Sequence, residues 1–520
     1  MDKGKIHRTW KKRRLFLVIV IVLLAFFMIS KKSDLEREGE QEEFVEDLEI
    51  EVEKEAVIDD YMDLTASPDI RVLIKTSNYA QIFHAEVCVT FPDGGYVLVF
   101  DGSTWTKNLV DVGESFCVGF GASYDCDMSQ GMQVAFVPAK EESCVVIEDL
   151  VRSRNVASYY GRLEVSAGNG GLVVVNELPL ETYLNSVLPS EMPASYDVDA
   201  LRAQAILART YAYKYLISPA YEVYAAHVDD SVMYQVYGNI DEHEDATSAV
   251  TDTVGILLFS DNTLADVYFY STSCGVGATD MVWGNVSVEE QLVARRIGAG
   301  VLTSQDEEED SSDIEQRYLN LLQDEDYFRN FIDVPLDGGY ECEESWYRWE
   351  SEKVPVLASF IETLLKERYA QDPTHILTWI EGDEYESREI ASLGEVTDIK
   401  ILERGVGGVV QSVLVCGTIH TYKIVLEYNI RYILNSSGVA ITKQDGTVTN
   451  TGSLLPSGFF YLDVYFTNGI VTSYQIFGGG YGHGVGMSQN GANQMAITGM
   501  TCGDILKFYF PDSIFVSYVQ

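Results

Sequence analysis

Positive charge is scarce in this 520-residue chain: 36 Lys and Arg stand against 80 Asp and Glu, a formal charge of −44. Nine of the bases crowd into the first 32 positions beside one acid, Asp2, so the remainder holds 27 bases against 79 acids, a net −52. A body of that sign repels nucleic acid and anionic lipid, and leaves uncharged or zwitterionic substrates open. No C-x-x-C pair occurs among the eight cysteines at 88, 117, 126, 144, 274, 342, 416 and 502, which excludes zinc-ribbon and thioredoxin-like arrangements. An even count permits disulfides in an exported protein, isolated buried thiols fit equally well, and the sequence does not choose. No G-K-[ST] follows the glycine-rich stretch near the C-terminus, so phosphate cradling has no support, and the acidic pattern of a dinucleotide fold is missing. There is no internal repeat. What is plentiful is apolar side chain, 46% hydrophobic with 12% aromatic, which excludes general disorder and can fill two or three cores at roughly 150 residues each.

Leu15–Ile29 is an apolar run of 15 residues between Lys11-Lys12-Arg13-Arg14 and Lys31-Lys32. At 1.5 Å per residue it covers about 22 Å of a roughly 30 Å hydrocarbon slab, a deficit that snorkelling lysines and local thinning absorb. Ala25-Phe-Phe-Met-Ile29 lacks the small-x-small pattern of a cleavage site, so the expectation is an uncleaved anchor over residues 15–30, with a cleaved signal peptide as the alternative. The positive-inside rule leaves residues 1–14 as a cytoplasmic tail and places the protein in the cell membrane as a single-pass species with its body outside the cytoplasm. Residues 31–67 read as an acidic spacer, since positions 34 to 60 contain 14 acids and no proline.

From Ile70 the texture changes to short β-rich runs such as Ile70-Arg-Val-Leu-Ile74, Glu86-Val-Cys-Val-Thr90 and Tyr96-Val-Leu-Val-Phe100, broken by turns like Pro92-Asp-Gly-Gly95. They predict a β-rich unit over 68–165. A second acidic tract, Asp306–Asp313, predicts an exposed loop over 303–316. Beyond it Leu357, Phe360, Ile361, Leu364 and Leu365 predict a helix over Val356–Tyr369, and residues 393–477 return to strands.

Three stretches carry chemical information. In the first, Pro189-Ser-Glu-Met-Pro193 leads into a helix whose Leu201, Ala205, Ala208, Ala212 and Tyr215 form one stripe of mostly small residues, with Arg202 and Arg209 on another face and Ser195 or Asp197 as cap. Flanking prolines fix Glu191, as suits an acid catalyst, although an acid near a helix start is by itself more often a solvated cap. The second runs Val267-Tyr-Phe-Tyr-Ser-Thr-Ser-Cys-Gly275 and on to Trp283, a buried strand ending in hydroxyls and glycines, as strands that line clefts do. In the third, six glycines fall between 478 and 486 around His483, so something must approach that backbone closely. A helix follows from about Ser488 to Thr498, closed by Gly499.

These stretches resemble the stage II sporulation protein D (SpoIID/LytB) family. The carriers are Leu178-Pro-Leu-Glu-Thr-Tyr-Leu184, Pro189-Ser-Glu-Met-Pro193, Ala203-Gln-Ala205 with Ala208-Arg-Thr-Tyr211, Gln235-Val-Tyr237, Ser271-Thr-Ser273 with Trp283, and Gly482-His-Gly-Val-Gly-Met-Ser-Gln489 with Gly491-Ala492. Their order and spacing extend over roughly residues 68–515. The resemblance implies an α+β fold of mixed strands and helices around a glycan-binding groove. It has a β-rich N-terminal unit (68–165), a catalytic helix region (166–300), and a helical and β-rich remainder (317–515) that makes a β-rich C-terminal half. It also implies an exported lytic transglycosylase that cleaves peptidoglycan glycan strands stripped of stem peptides during forespore engulfment, with a stripping amidase and a membrane scaffold protein as partners. By the same resemblance Glu191 is the catalytic acid, while Arg202, where the family commonly has Lys, and Gln204, Arg209, Tyr211, Ser271, His483 and Gln489 contact substrate.

Some members of that family hold zinc through histidines and a cysteine just before the Gln-x-Tyr motif. Here Met233-Tyr234 stand before Gln235, His227 and His243 are the nearby histidines, and no cysteine falls between 145 and 273, so neither a metal nor another cofactor is expected. Most glycosidases use two carboxylates, but a lytic transglycosylase can use one, because the muramyl C6 hydroxyl is the nucleophile. Glu191 would protonate the glycosidic oxygen and then accept the hydroxyl proton, with proline and methionine neighbours raising its pKa. Glu181 is the alternative second acid, although its Leu-Glu-x-Tyr-Leu setting suggests helix packing. The rival reading is a non-catalytic amidase enhancer that only binds the wall, as other members of the family do.

Overall fold

A computed structural model describes residues 68–518 except 154, 239–240, 285–291, 299–310, 335–337 and 436–437. The basic tail, the apolar run and the acidic spacer expected over residues 1–67 lie outside the described residues. Among the described residues no helix is long and apolar enough to cross a membrane.

Period-two burial turns the β-rich segment into two sheets. One has seven strands, in the order Val228–Asp229, Asp69–Ile74, Gly171–Pro179, Arg162–Gly168, Gln133–Pro138, Gly95–Phe100 and Trp105–Val110. The other has five, in the order Cys126–Asp127, Ser115–Gly119, Glu86–Thr90, Cys144–Arg152 and Asn155–Tyr160. Val72, Val134, Phe136, Leu163 and Val165 of the first share one core with Val87, Val89, Val118, Val145 and Ile147 of the second. Cys88 and Cys117 are register partners in the five-stranded sheet and are joined by a disulfide, while the other six cysteines are free. The β unit therefore runs past the expected boundary at 165, to Pro179.

Nine α-helices occur among the described residues: α1 Leu180–Glu191, α2 Val198–Ile217, α3 Glu244–Asp252, α4 Ser311–Leu321, α5 Glu325–Asp333, α6 Ala358–Gln371, α7 Glu427–Leu434, α8 Gln489–Ile497 and α9 Cys502–Tyr509. The fold is α+β. Helix α2 is central, packed by α1, α3, α8, α9 and the strand Ile256–Ser260. Leu201, Ala205, Ala208 and Ala212 are buried as their spacing predicts, but so are Ala200, Ala203, Ile206 and Leu207 on other sides. Its alanines let several elements reach it at once, so the expected single stripe is an enclosed helix. Asp197 caps it, accepting the Asp199 N–H at 3.1 Å.

Arg202 and Arg209 do share a face, and that face is turned toward protein. Arg202 donates to the Asp252 carboxylate at 3.0 and 2.6 Å. The guanidinium of Arg209 is fully buried and donates to both Glu181 oxygens at 2.8 Å and to the carbonyls of Val250 and Ile256. Both guanidiniums, expected to contact substrate, tie α2 to its neighbouring helices. Burial alone would raise the Glu181 carboxyl, but the Arg209 charge, followed by hydrogen bonds from Arg209 and the Tyr518 hydroxyl, outweighs it and holds the carboxyl below its ordinary value. Glu181 is a packing residue.

A second core forms within residues 349–476, around Trp349, Leu365, Val413, Tyr422, Ile424, Ile441 and Tyr474. The acidic loop expected over 303–316 is helical from Ser311, where α4 begins, and α6 falls two residues beyond the predicted helix. Helix α7 interrupts the expected strands. Its Ile430, Ile433 and Leu434 are buried and its Glu427–Arg431 pair closes at 2.8 Å. The chain then returns to the first core: Met487–Ser488 pairs in parallel with Phe269–Tyr270, α8 and α9 pack on α2, and Ile514–Ser517 pairs with Ile256–Ser260. The expected β-rich C-terminal half is therefore an insertion, and residues 487–518 complete the core around α2.

The glycine-rich segment 478–486 lies against the protein's own strand. Gly486 has φ +77°, and a Cβ there would sit 2.1 Å from the Tyr268 carbonyl oxygen; at Gly482, φ +121°, it would meet the Tyr270 Cβ at 2.7 Å. Gly486→Ala should therefore cost about 2 kcal/mol or more in chemical denaturation, and an unchanged midpoint would contradict this packing.

Glu181→Gln leaves a buried guanidinium without its counter-charge and should cost about 3 kcal/mol at neutral pH. The sign follows from the lowered folded-state pKa: the contribution is present above the unfolded pKa and is lost as pH falls through the folded one, so the difference from wild type should shrink in acid. An undiminished difference in acid would contradict the ion-pair account.

Candidate active site

Helix α1 ends on Glu191, so this side chain is the last of one helix and not merely a residue ahead of the next. Pro189 sits inside the final turn, Ser190 Oγ donates to the Ser186 carbonyl at 2.7 Å, and the Met192 N–H closes on Leu188 O before the chain turns extended. Met192 is buried and Pro193 follows it, which fixes the direction in which the carboxyl leaves the helix.

The Glu191 carboxyl meets the loop carrying Gln235-Val-Tyr237, accepting the Val236 N–H at 2.6 Å. That loop is pinned from several sides. Gln235 Nε2 donates to the Ala208 carbonyl of α2 at 3.0 Å, its Oε1 accepts from the Tyr183 hydroxyl of α1 at 3.4 Å, and Tyr237 donates to Asn176 Oδ1 at 3.0 Å. Burial pushes the Glu191 carboxyl up to about 7, and the single N–H from Val236 only partly offsets it. The negative end of the α1 dipole acts in the same direction as burial.

Aromatic side chains line the adjoining side of α2. Tyr211 packs on Tyr215 at 5.2 Å and on Tyr268 at 6.2 Å between ring centroids; Tyr215 meets Tyr234 at 5.1 Å, and Tyr268 meets Trp283 at 4.5 Å. Trp283 is 37% exposed. Such a row presents flat apolar faces with polar rims, which suits sugar rings. Tyr211, expected as a binding residue, packs in this row with Tyr215, Tyr234 and Tyr268, which the sequence did not single out. Their signal was an unusual density of tyrosines along one face of α2 and the strand after Val267.

Of the remaining predicted residues, Gln204, Ser271 and Gln489 meet at the junction between α2 and α8. Gln204 is fully buried, its Oε1 accepting from Gln489 Nε2 at 3.5 Å, while its own Nε2 is buried without a partner among the described residues. The Ser271 carbonyl accepts the Asn490 N–H at 3.0 Å, and Asn490 also donates to Thr272 Oγ1 at 2.8 Å and accepts from the Tyr196 hydroxyl. Tyr196 lies five residues beyond Glu191, so this network ties the junction to the acid. His483, expected to contact substrate, has Nε2 facing the Phe269 carbonyl at 3.1 Å and Nδ1 accepting the Val485 N–H at 3.1 Å, so both ring nitrogens are engaged within the protein. Burial, aided by Arg431, pushes the ring down to about 4 and keeps it neutral.

Glu341 gives no sign of its role in the sequence, where it sits in Tyr340-Glu-Cys-Glu-Glu344 and reads as a solvated acid. In the structure it is fully buried, accepting the Ser273 N–H at 2.9 Å, the Ser488 hydroxyl at 2.7 Å and the Ser273 hydroxyl. Burial still pushes it up to about 7. Reaching out of the insertion, it joins the end of the strand Phe269–Tyr270 to the cap of α8, whose Ser488 Oγ accepts the Gly491 N–H at 3.3 Å. His227 and His243 serve separate local roles, His227 Nδ1 accepting the Arg71 N–H and His243 capping α3. Among the described residues no group of three or more His, Cys, Asp or Glu could hold a metal ion.

Comparison with known proteins places this geometry. Residues 168–259 match the family model described as Stage II sporulation protein (SpoIID), which covers Glu191 and the Gln235–Tyr237 loop, and residues 301–486 match a second model described as a domain of unknown function (DUF8618). The amidase enhancer of Bacillus subtilis (strain 168) is 25% identical over 337 residues, 64% of this chain and 40% of that protein. Stage II sporulation protein D of the same organism is 36% identical over 115 residues, 19% of this chain and 34% of its own length. An uncharacterized protein of Brachyspira hyodysenteriae is 32% identical over 152 residues, 29% of this chain and 40% of that protein. The chain therefore spans 40% or less of the length of these relatives. Residues 168–259, which hold Glu191 and the loop that meets it, are therefore similar to the SpoIID family.

Proposed function

We propose that the chain is a peptidoglycan lytic transglycosylase in which Glu191 is the sole acid and base. The observation that carries this is the Glu191 carboxyl itself, pushed up to about 7 and held by one N–H from Val236, two residues beyond Tyr234, whose ring packs on Tyr215. A group so placed is protonated in a large fraction of molecules near neutral pH, as a general acid must be. It gives its proton to the glycosidic oxygen as the bond to the muramyl C1 breaks. The C6 hydroxyl of the same sugar attacks C1, its proton passes to the Glu191 carboxylate, and a 1,6-anhydro end results with the acid restored. One carboxyl suffices, and the two nearby alternatives are otherwise engaged: Glu181 is ion-paired to Arg209, and Glu341 is sealed against Ser273 and Ser488.

The wider reading is an exported protein anchored by residues 15–30 and acting on denuded glycan strands in sporulation or wall remodelling, together with an amidase and a membrane scaffold. The Cys88–Cys117 disulfide supports an oxidising compartment. A second reading, a non-catalytic enhancer of an amidase, is favoured by the similarity to the Bacillus subtilis amidase enhancer over 64% of the chain.

Incubation of the purified full chain with denuded glycan strands separates the two. Anhydromuramyl ends should form, and Glu191→Gln should abolish at least the roughly 10²–10⁴-fold attributed to acid–base catalysis while strand binding persists. Turnover by the Gln variant at near wild-type rate would remove Glu191 from the mechanism.

The protonated form is the active one, so kcat/KM should fall as pH rises through about 7 and level off below it. A profile that instead rises through neutrality would contradict the acid role.

A further inference from the structure

The seven-stranded sheet buries one face against the five-stranded sheet and α1 and leaves much of the other open. The register places Arg71, Glu177, Arg162, Glu164, Ser166, Ala135, Gln133, Phe100, Leu98 and Trp105 on that outer face: Arg162 stands opposite Glu177, Glu164 opposite Ala135, Ser166 opposite Gln133, Gln133 opposite Phe100, and Phe100 opposite Trp105. A cavity of about 80 Å³ opens there, with Trp105, Arg162, Gln133, Glu164, Arg71 and Tyr224 in its walls. At roughly 30 Å³ per water it has room for two or three waters, the size of a short acyl group and less than a whole sugar ring.

Four observations describe what would fit. Trp105 is 48% exposed on an edge strand, backed by Phe100 at 5.1 Å between ring centroids, so its indole is a supported flat platform. The Arg162 guanidinium lies 6.0 Å from that ring, and its Nε is buried without a hydrogen-bond partner among the described residues. The charges of the wall cancel: Arg71 is paired with Glu164 at 2.6 Å and with Glu177, and Arg162 Nη2 meets Glu164 at 2.7 Å. The wall is also held in place, since Arg71 Nε donates at 2.5 Å to the carbonyl of Ala225, a left-handed residue at φ +51° directly after Tyr224.

We propose that this face is a second glycan site, distinct from the Glu191 site, that takes an uncharged N-acylated amino sugar with its ring on Trp105 and its acyl group in the cavity beside Arg162. A neutral wall disfavours a charged ligand, the open Nε supplies a donor for an acyl carbonyl, and the indole covers the apolar C–H face of a pyranose. The inference rests on the reading of the chain as a glycan-strand protein, for which it supplies a grip remote from the bond that breaks. A chain of charge −44 gains little from long-range attraction to the wall, so contact at uncharged sugars is the route left to it.

The test is titration of the full chain with chitohexaose, a β-1,4-linked N-acetylglucosamine hexamer, and with cellohexaose, which lacks the acyl groups. Chitohexaose should quench or shift the Trp105 emission; Trp105→Ala should weaken the binding at least tenfold, Trp105→Phe should retain most of it, and cellohexaose should bind at least tenfold less tightly. Arg162→Gln should weaken chitohexaose severalfold while the far-UV spectrum stays that of wild type. Equal binding by wild type and Trp105→Ala, or equal affinity for the two hexamers, would overturn the proposal. Glu191→Gln should bind chitohexaose through Trp105 as wild type does. If wild type forms no anhydromuramyl ends while Trp105-dependent binding holds, the transglycosylase reading fails and this site stands.

Discussion

The Glu191 side chain is half-buried, and its carboxyl is given one N–H donor, from Val236. Much of the remaining architecture can be understood as what makes that position tenable. One hydrogen bond to a carboxylate does not offset its desolvation, so the acid stays protonated to about pH 7. The donor is a backbone group on a loop, and the loop is held by Gln235 to α2, by Tyr183 to α1 and by Tyr237 to Asn176 on the sheet. Three elements thus converge to present a single N–H.

Three glutamates, Glu341 buried and Glu181 and Glu191 half-buried, show what decides such a pKa. Glu341 accepts three hydrogen bonds from two serines and is still pushed up to about 7, because none of its donors carries charge. Glu181 meets a buried guanidinium, and its carboxyl is held below its ordinary value. Counter-charge outweighs hydrogen-bond number here. For Glu191 and Glu341 the raised folded pKa means that folding binds protons, so each weakens the native state as pH rises from the ordinary carboxylate value toward 7. The ion pair of Glu181 carries the opposite requirement, contributing stability above the unfolded carboxylate value that is lost as pH falls.

Legibility in the sequence followed the range of the interaction. Asp197 as a helix cap, the alanines of α2 and the cap and stop of α8 are local signals and stand where their spacing put them. Glu191 was singled out by its flanking prolines and by the family its motif resembles, and its carboxyl meets the Gln235–Tyr237 loop. Partner identity was not legible: the spacing puts Arg202 and Arg209 on one face but does not say that α1 and α3 pair with them. The glycines of 478–486 correctly announced a close approach, yet what approaches is the strand through Tyr268 and Tyr270. Glu341 lay inside an acidic string with no local feature to distinguish it. The insertion was invisible for a related reason: that residues 487–518 return to the core of residues 180–283 is a statement about pairings more than 200 residues apart.

The measurement closest to the centre of this account is the ionisation of Glu191 itself. Carbon-13 chemical shifts of glutamate carboxyls, assigned by their loss in Glu191→Gln and followed with pH in the full chain, report it without any substrate. The account predicts a titration near pH 7 at that position, absent from the variant, with the Glu181 signal titrating below the ordinary glutamate range. A Glu191 carboxyl that titrates near 4.5, as a solvated glutamate does, would contradict it, because the group would then be a carboxylate at neutral pH with no proton to give.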